Sequence, residues 1–372
     1  MALAAAARAV TQRTVLLLGA RGRTGEALSW VRELIAGRGH AVLQLELEDD
    51  RVNDIAALHA GGQFHGVLAI GDAADGATAA RVLRELPIGV PKLLLSPLAA
   101  GNVGVHVGLR DVTMMQPVVD TATLNRISRR VLANAVGAVC GMVEQDPPVD
   151  EGTAPWVAAT MFGVTTPCVT AVRERLEAAG YDVLVFHATG TGGRAMEGLI
   201  DDGWFAGVVD VTTTEWADEV VGGMRSAGPD RLGAAGRRGL PQVVSLGALD
   251  IVNFAAADTV PLQWRDRTLY RHNPNATLMR TTAAECTEIG RRIAERLNAA
   301  TGPTVLMIPL RGLSMIDCEG GPFHDPAADR ALFDAVRRHA GPGVTLVELD
   351  FHINDPAFAE AVASRFLQLM KD

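Results

Sequence analysis

The chain has 372 residues, 48% of them hydrophobic, and a net charge of −9; this argues for two domains and excludes intrinsic disorder. The acidic balance excludes nucleic acid as the main partner: Arg126, Arg129, Arg130, Arg237 and Arg238 lie at helical spacing among acids and read as a solvated face or a local anion site. No stretch reaches the roughly 18 apolar residues of a membrane helix, Met1 to Val15 has no signal-peptide core, and Cys140, Cys168, Cys286 and Cys318 show neither disulfide nor metal spacing. The expectation is a cytoplasmic protein with no membrane partner and no metal site marked by its cysteines.

In chain order, Thr14–Leu18 reads as a buried strand ending in the glycine turn Gly19-Ala-Arg-Gly22-Arg-Thr-Gly25, and Glu26–Gly37 as a helix. Strands follow at 42–47, 66–70 and 91–96, with helices at 54–60, 78–86 and 124–142. Gln145–Pro155, rich in proline, glycine and acids without periodicity, reads as a linker. The alternation then restarts, with strands at 157–161, 183–186, 207–211, 242–245, 305–308 and 345–349. Helices are expected at 168–179, 194–202, 215–222, 283–299, 326–339 and 356–369. Strand and helix in alternation predict parallel sheets covered by helices, in domains spanning 1–148 and 149–372.

In such sheets ligands bind beyond the carboxyl ends of the strands. His187-Ala-Thr-Gly190-Thr-Gly-Gly193 occupies that position, between an apolar strand and an amphipathic helix. Glycines there let backbone N–H groups approach an anion, and His187 changes charge near neutral pH. Thr165 and Thr166, Asp210 with Glu215, Asp250, Asp317 with His324, and His352 follow the other strands, and His272 stands apart in Tyr270-Arg-His-Asn-Pro274. Each has a plain structural use as a cap or turn former; six such loops on one rim point to a site. Gly190-Thr-Gly-Gly-Arg194-Ala fits the dinucleotide pattern with Asp210 downstream, and Gly19, Gly22 and Gly25 fit a related turn. A phosphate-binding loop with lysine is absent, as is a serine-hydrolase elbow. His187, His272, His324 and His352 lack tight metal-ligand spacing.

Met161-Phe-Gly-Val-Thr-Thr-Pro167, His187 through Gly193, Thr212-Thr-Thr-Glu215, Tyr270-Arg-His-Asn-Pro274 and Phe351-His-Ile-Asn-Asp-Pro356 resemble a widespread bacterial, fungal and plant family. That family includes the amino-terminal ATP-binding half of the tomato mosaic virus resistance protein. The resemblance covers nearly the whole chain and implies two Rossmann-like domains with mainly parallel sheets flanking a central cleft, self-association and nucleotide binding. The first half departs from the family: Gly19–Glu26 lacks its acid and lysine, and the loops at Gly71–Thr78 and Ser96–Gly101 have lost glycine and hydroxyl positions.

The expected ligand is therefore ATP, a related nucleotide or a small anionic metabolite. Gly19, Gly25, Glu26, Gly71, Gly101, Thr165, Thr166, Gly190, Thr191, Gly192, Gly193 and Arg194 are the expected binding residues. His187 is the expected acid or base, with Asp210, Glu215, Asp250, His272 and His352 around it. Two alternatives stay open: a non-catalytic binding or inhibitory protein, and a nicotinamide-dependent oxidoreductase. The protein is expected to form homo-oligomers.

Overall fold

The apolar run at Thr14–Gly19 (β1) is flanked by strands on both edges, and its Val15–Leu18 core is wholly buried, as its unbroken hydrophobicity requires. It belongs to the first of two units, Met1–Asp150 and Glu151–Asp372, of a computed structural model that describes residues 12–48, 54–146 and 152–371. After β1 come α1 (Arg21–Gly37), β2 (Ala41–Glu46), α2 (Ile55–Ala60), β3 (Gly66–Ile70), α3 (Ala73–Arg84) and β4 (Lys92–Leu95). The short α4 (Gly104–Val107), β5 (Thr113–Met115) and α5 (Arg126–Val143) complete the unit. All pairings are parallel, in the order β2-β1-β3-β4-β5. Alternate strand residues build two cores. Val15, Leu17, Leu68 and Ile70 pack under α1 and α5, whereas Leu16, Leu18, Val67 and Ala69 pack under α2 and α3.

The second unit contains β6 (Trp156–Met161), α6 (Thr166–Glu177), β7 (Asp182–His187), α7 (Thr191–Asp201), β8 (Gly207–Thr212), α8 (Glu215–Val221), α9 (Ala234–Arg237) and β9 (Gln242–Gly247). After β9 an inserted antiparallel sheet is formed by β10 (Ile251–Phe254), β11 (Leu269–Asn273) and β12 (Ala276–Arg280). Then come α10 (Ala283–Asn298), β13 (Thr304–Pro309), α11 (Pro326–His339), β14 (Val344–Leu349) and α12 (Pro356–Leu369). Its main sheet is parallel, ordered β14-β13-β9-β8-β6-β7. Helices α6 and α12 cover one face; α7 and α9, and beside them α8, α10 and α11, cover the other. The chain is thus α/β with mainly parallel sheets, as expected.

Several helices begin earlier than their periodicity indicates. α1 starts at Arg21 and α7 at Thr191, so both glycine turns supply first helical turns. α3 begins at Ala73, five residues before the expected start at 78, because the Asp72 carboxylate accepts from Ala74 N and Asp75 N and caps it. The inserted sheet was not anticipated: Leu269-Tyr-Arg-His-Asn273 is mostly polar and exposed, as an edge strand permits. The expected linker lies partly outside the described residues.

Candidate functional site

In the first unit β1 and β3 are neighbours, with Gly19 paired to Ile70, and the helices that follow them leave to opposite faces. This reversal is the switch point at which open α/β sheets place ligands. Gly19 has no room for a side chain, since an added Cβ would lie 2.9 Å from Leu28. Beside Gly71 opens a cavity of about 390 Å³ lined by Gly71, Asp72, Asp75, Pro97 and the segment Gln116–Ala122. Val118 on its wall is 69% exposed and has a left-handed φ of 68°, a conformation costly for a β-branched residue. Gly25 and Glu26 lie in α1 and Gly101 after Pro97–Ala100; none lines this cavity. The side chains of Arg21 and Arg23 lie outside the described residues.

In the second unit the glycine segment is already occupied. Gly190, at φ 85°, is the N-cap of α7. Its N–H and that of Gly193 both donate to Glu215 Oε1, at 2.6 and 3.1 Å. The chain's own carboxylate thus fills the position expected for a ligand anion. The glycines are needed for this closeness: a Cβ at Gly193 would lie 2.0 Å from Glu215 Oε2, and one at Gly192 1.8 Å from the His187 carbonyl oxygen.

Glu215 is in turn held by Arg231, whose Nε donates to Glu215 Oε2 at 2.6 Å. The same guanidinium makes a two-pronged contact with Asp210, Nη2 to Oδ1 at 2.8 Å, and reaches Glu197 Oε1 at 3.2 Å. Asp210 also accepts from Thr160 Oγ1 at 2.6 Å. Arg231 is 1% exposed, presented by left-handed backbone at Gly228 and Leu232. Burial opposes its charge, but Asp210 and Glu215 outweigh that and hold its pKa well above the ordinary value. For Glu197 burial dominates over Arg231 and pushes the carboxyl up. Asp210 and Glu215, expected to activate a substrate, are buried and paired with Arg231.

Other expected residues are similarly committed. Thr165 is buried, bonding the Phe162 carbonyl at 3.0 Å and the Thr212 hydroxyl at 2.8 Å; Thr166 bonds the same carbonyl at 3.3 Å. Both nitrogens of His352 are engaged, Nε2 donating to Ser314 O at 2.9 Å and Nδ1 accepting from Asn354 N at 3.1 Å. Both ring nitrogens are thus taken up by backbone partners. Asp250 is fully buried. One of its oxygens accepts from Ser314 Oγ at 2.7 Å, and the other has no hydrogen-bond partner among the described residues. Burial and the nearby Asp317 push its pKa up to about 8. Asp329, bound by Arg280 Nη2 at 2.6 Å, is pushed up to about 7 by burial and Asp317. His272 lies exposed on the edge strand β11, in a different sheet from His187.

What remains open in this unit is a small lip. His187, Thr191 and Arg194 are exposed, and Arg194 Nε donates to Gly190 O at 3.3 Å. Arg225 stacks over the Phe162 ring at 5.2 Å, and its backbone would lie 3.1 Å from a Cβ on Gly190. Among the described residues no group of three or more His, Cys, Asp or Glu is placed to hold a metal ion. No described helix is long and apolar enough to cross a membrane. Arg231 and Asp218 had escaped the sequence reading. Asp218 accepts from Asn253 N and Nδ2 and is pushed up to about 7 by burial. Neither residue belongs to a motif or a periodic face.

Two family models match, those of the Uncharacterised protein family (UPF0261) N-terminal domain over residues 47–148 and C-terminal domain over 154–370. A UPF0261 protein of Rhizobium meliloti is 50% identical over 81% of this chain and 76% of its own length. One of Mesorhizobium japonicum is 41% identical over 96% of this chain and 100% of its own length. The ToMV resistance protein Tm-1(GCR237) of Solanum lycopersicum is 40% identical over 82% of this chain, which spans 41% of that larger protein. A type-A ketoreductase from a modular polyketide synthase aligns over 97% of this chain and 88% of its own at a TM-score of only 0.23 and 14% identity. The chain belongs to the UPF0261 family.

Proposed function

We propose that this UPF0261 member binds a nucleotide or comparable small anionic, hydroxyl-bearing metabolite, and that the first unit's carboxyl edge is where it does so. One observation carries the reading: the switch point between Gly19 and Gly71 adjoins a 390 Å³ cavity, a volume in the range of small-molecule sites. Asp72, Asp75, Asp120, Gln116 and Thr121 line it. Such groups accept hydrogen bonds from ribose hydroxyls or a base amino group. A phosphate end would turn toward the start of α1, where Ala20 gives no side-chain cap and helical N–H groups favour an anion.

Binding without turnover fits the commitment of Asp210, Glu215 and His352 to internal bonds. It also suits the tomato relatives, named for ToMV resistance or susceptibility. We further read the protein as cytoplasmic and self-associating, which light scattering of the purified chain tests. Titration calorimetry with ATP, ADP and NAD tests the ligand. The purified chain should bind one of them, and Ala122→Trp, which fills the cavity, should abolish the heat with an unchanged melting temperature. No binding at millimolar ligand, or unaltered binding by the Trp variant, sinks the reading. A catalytic reading stands second, on the exposure of His187 beside Arg194.

A further inference from the structure

The second unit has a further cavity, whose wall includes Trp216 and Pro229, close in sequence to Glu215 and Arg231. It measures about 320 Å³ and is lined by Trp216 of α8, Pro229, and Arg291, Arg292, Glu295 and Arg296 of α10. α8 and α10 pack together here. Arg291 is committed, its guanidinium bridging Glu288 and Glu295. Arg292 and Arg296 are only partly committed among the described residues. Arg292 uses only Nε, on Glu288 at 2.7 Å. Arg296 uses Nη2, on the Pro229 carbonyl, with the exposed Asp230 3.8 Å away. The two stand one helical turn apart, 38% and 29% exposed, each with further N–H donors in the planar fork that matches carboxylate and phosphate. The third element is Trp216. It is only 3% exposed, and its indole N–H has no hydrogen-bond acceptor among the described residues. Buried donors are nearly always satisfied, so an unsatisfied one in a cavity wall marks a place where an acceptor is wanted.

We propose that this cavity is a second ligand site, taking a small metabolite that carries two or more oxyanion groups. Arg292 and Arg296 would each engage one group, with Trp216 N–H as an added donor. Its volume exceeds what one monovalent ion needs, and the i, i+4 spacing of the two forks suits paired charges. The site is independent of the one in the first unit, so either proposal can fail alone.

Citrate and inorganic pyrophosphate, titrated separately into the full chain by calorimetry, serve as probes for the carboxylate and phosphate sources. At least one should bind with a dissociation constant below about 1 mM at low salt, weakening as salt rises. Arg296→Ala should weaken it at least tenfold, and Trp216→Phe, which removes only the donor and little volume, several-fold. Arg337→Ala, on α11, should bind as the parent does. Thermal melts check that each variant is folded; should Trp216→Phe fail to fold, Arg296→Ala together with Arg292→Ala decides. Absence of binding by both probes overturns the proposal. So does binding that Arg296→Ala leaves intact, the mark of an adventitious ion only.

Discussion

The two parallel sheets share one winding, yet their carboxyl edges differ. In the first, the edge beside the switch point holds a 390 Å³ cavity. In the second, Arg231 draws Asp210, Glu215 and Glu197 together, and Glu215 fills the glycine turn. Glycines, hydroxyls and acids after a strand end therefore do not by themselves mark a vacant site. They also serve when a sheet closes its own crevice with internal charge.

The largest test of that difference is Arg231→Met. Three carboxylates would lose their shared counter-ion in a buried setting, which should cost about 3–5 kcal/mol of stability, measured by urea unfolding. A loss under about 1 kcal/mol would mean that water or proton uptake replaces the arginine, and the closed edge would not depend on it.

A middle-sized effect is expected at Asp250, whose raised pKa gives a pH signature. The folded state keeps this proton up to about pH 8, whereas the unfolded chain releases it near the ordinary aspartate value. Its contribution to stability is complete below that value and is lost as pH rises toward 8. Asp250→Asn carries no such proton. Between pH 5 and 8 the parent should lose on the order of 1–3 kcal/mol relative to this variant, by denaturation at both pH values. Parallel behaviour of the two proteins would show that the carboxyl is already ionised when folded.

The smallest expected effect is on stability in His187→Ala. The side chain is exposed, so unfolding should move by less than about 0.5 kcal/mol. If the open lip carries chemistry, any turnover found for this chain disappears in that variant. Retained turnover removes the catalytic reading.

Much of the fold was legible because its signals are local. Val15-Leu-Leu-Leu18 and Gly66–Ile70 are short unbroken apolar runs, as strands covered on both faces must be. Asn125 and Thr282 cap α5 and α10 within a residue or two of the periodic start. The glycine turns are ambiguous in sequence because helix initiation and ligand approach ask for the same residue. Gly193 lacks a side chain on account of Glu215, twenty-two positions away. Arg231 was illegible for a like reason: in Gly228-Pro-Asp-Arg-Leu-Gly233 nothing indicates that acids from three other elements meet it. His352 looked reactive in sequence, but its ring is fixed by a carbonyl thirty-eight residues distant.

The seat taken by Glu215 sets a threshold for outside ions. A carboxylate covalently attached to the same chain competes as though it were dissolved at millimolar strength or above, on the order of tethered partners generally. A free phosphate meeting the Gly190 and Gly193 amides has to evict that occupant and leave Arg231 short of one neighbour. Soaking with simple salts should leave these two amides untouched, whereas shortening the side chain by Glu215→Ala vacates the seat and lets a dissolved anion enter it.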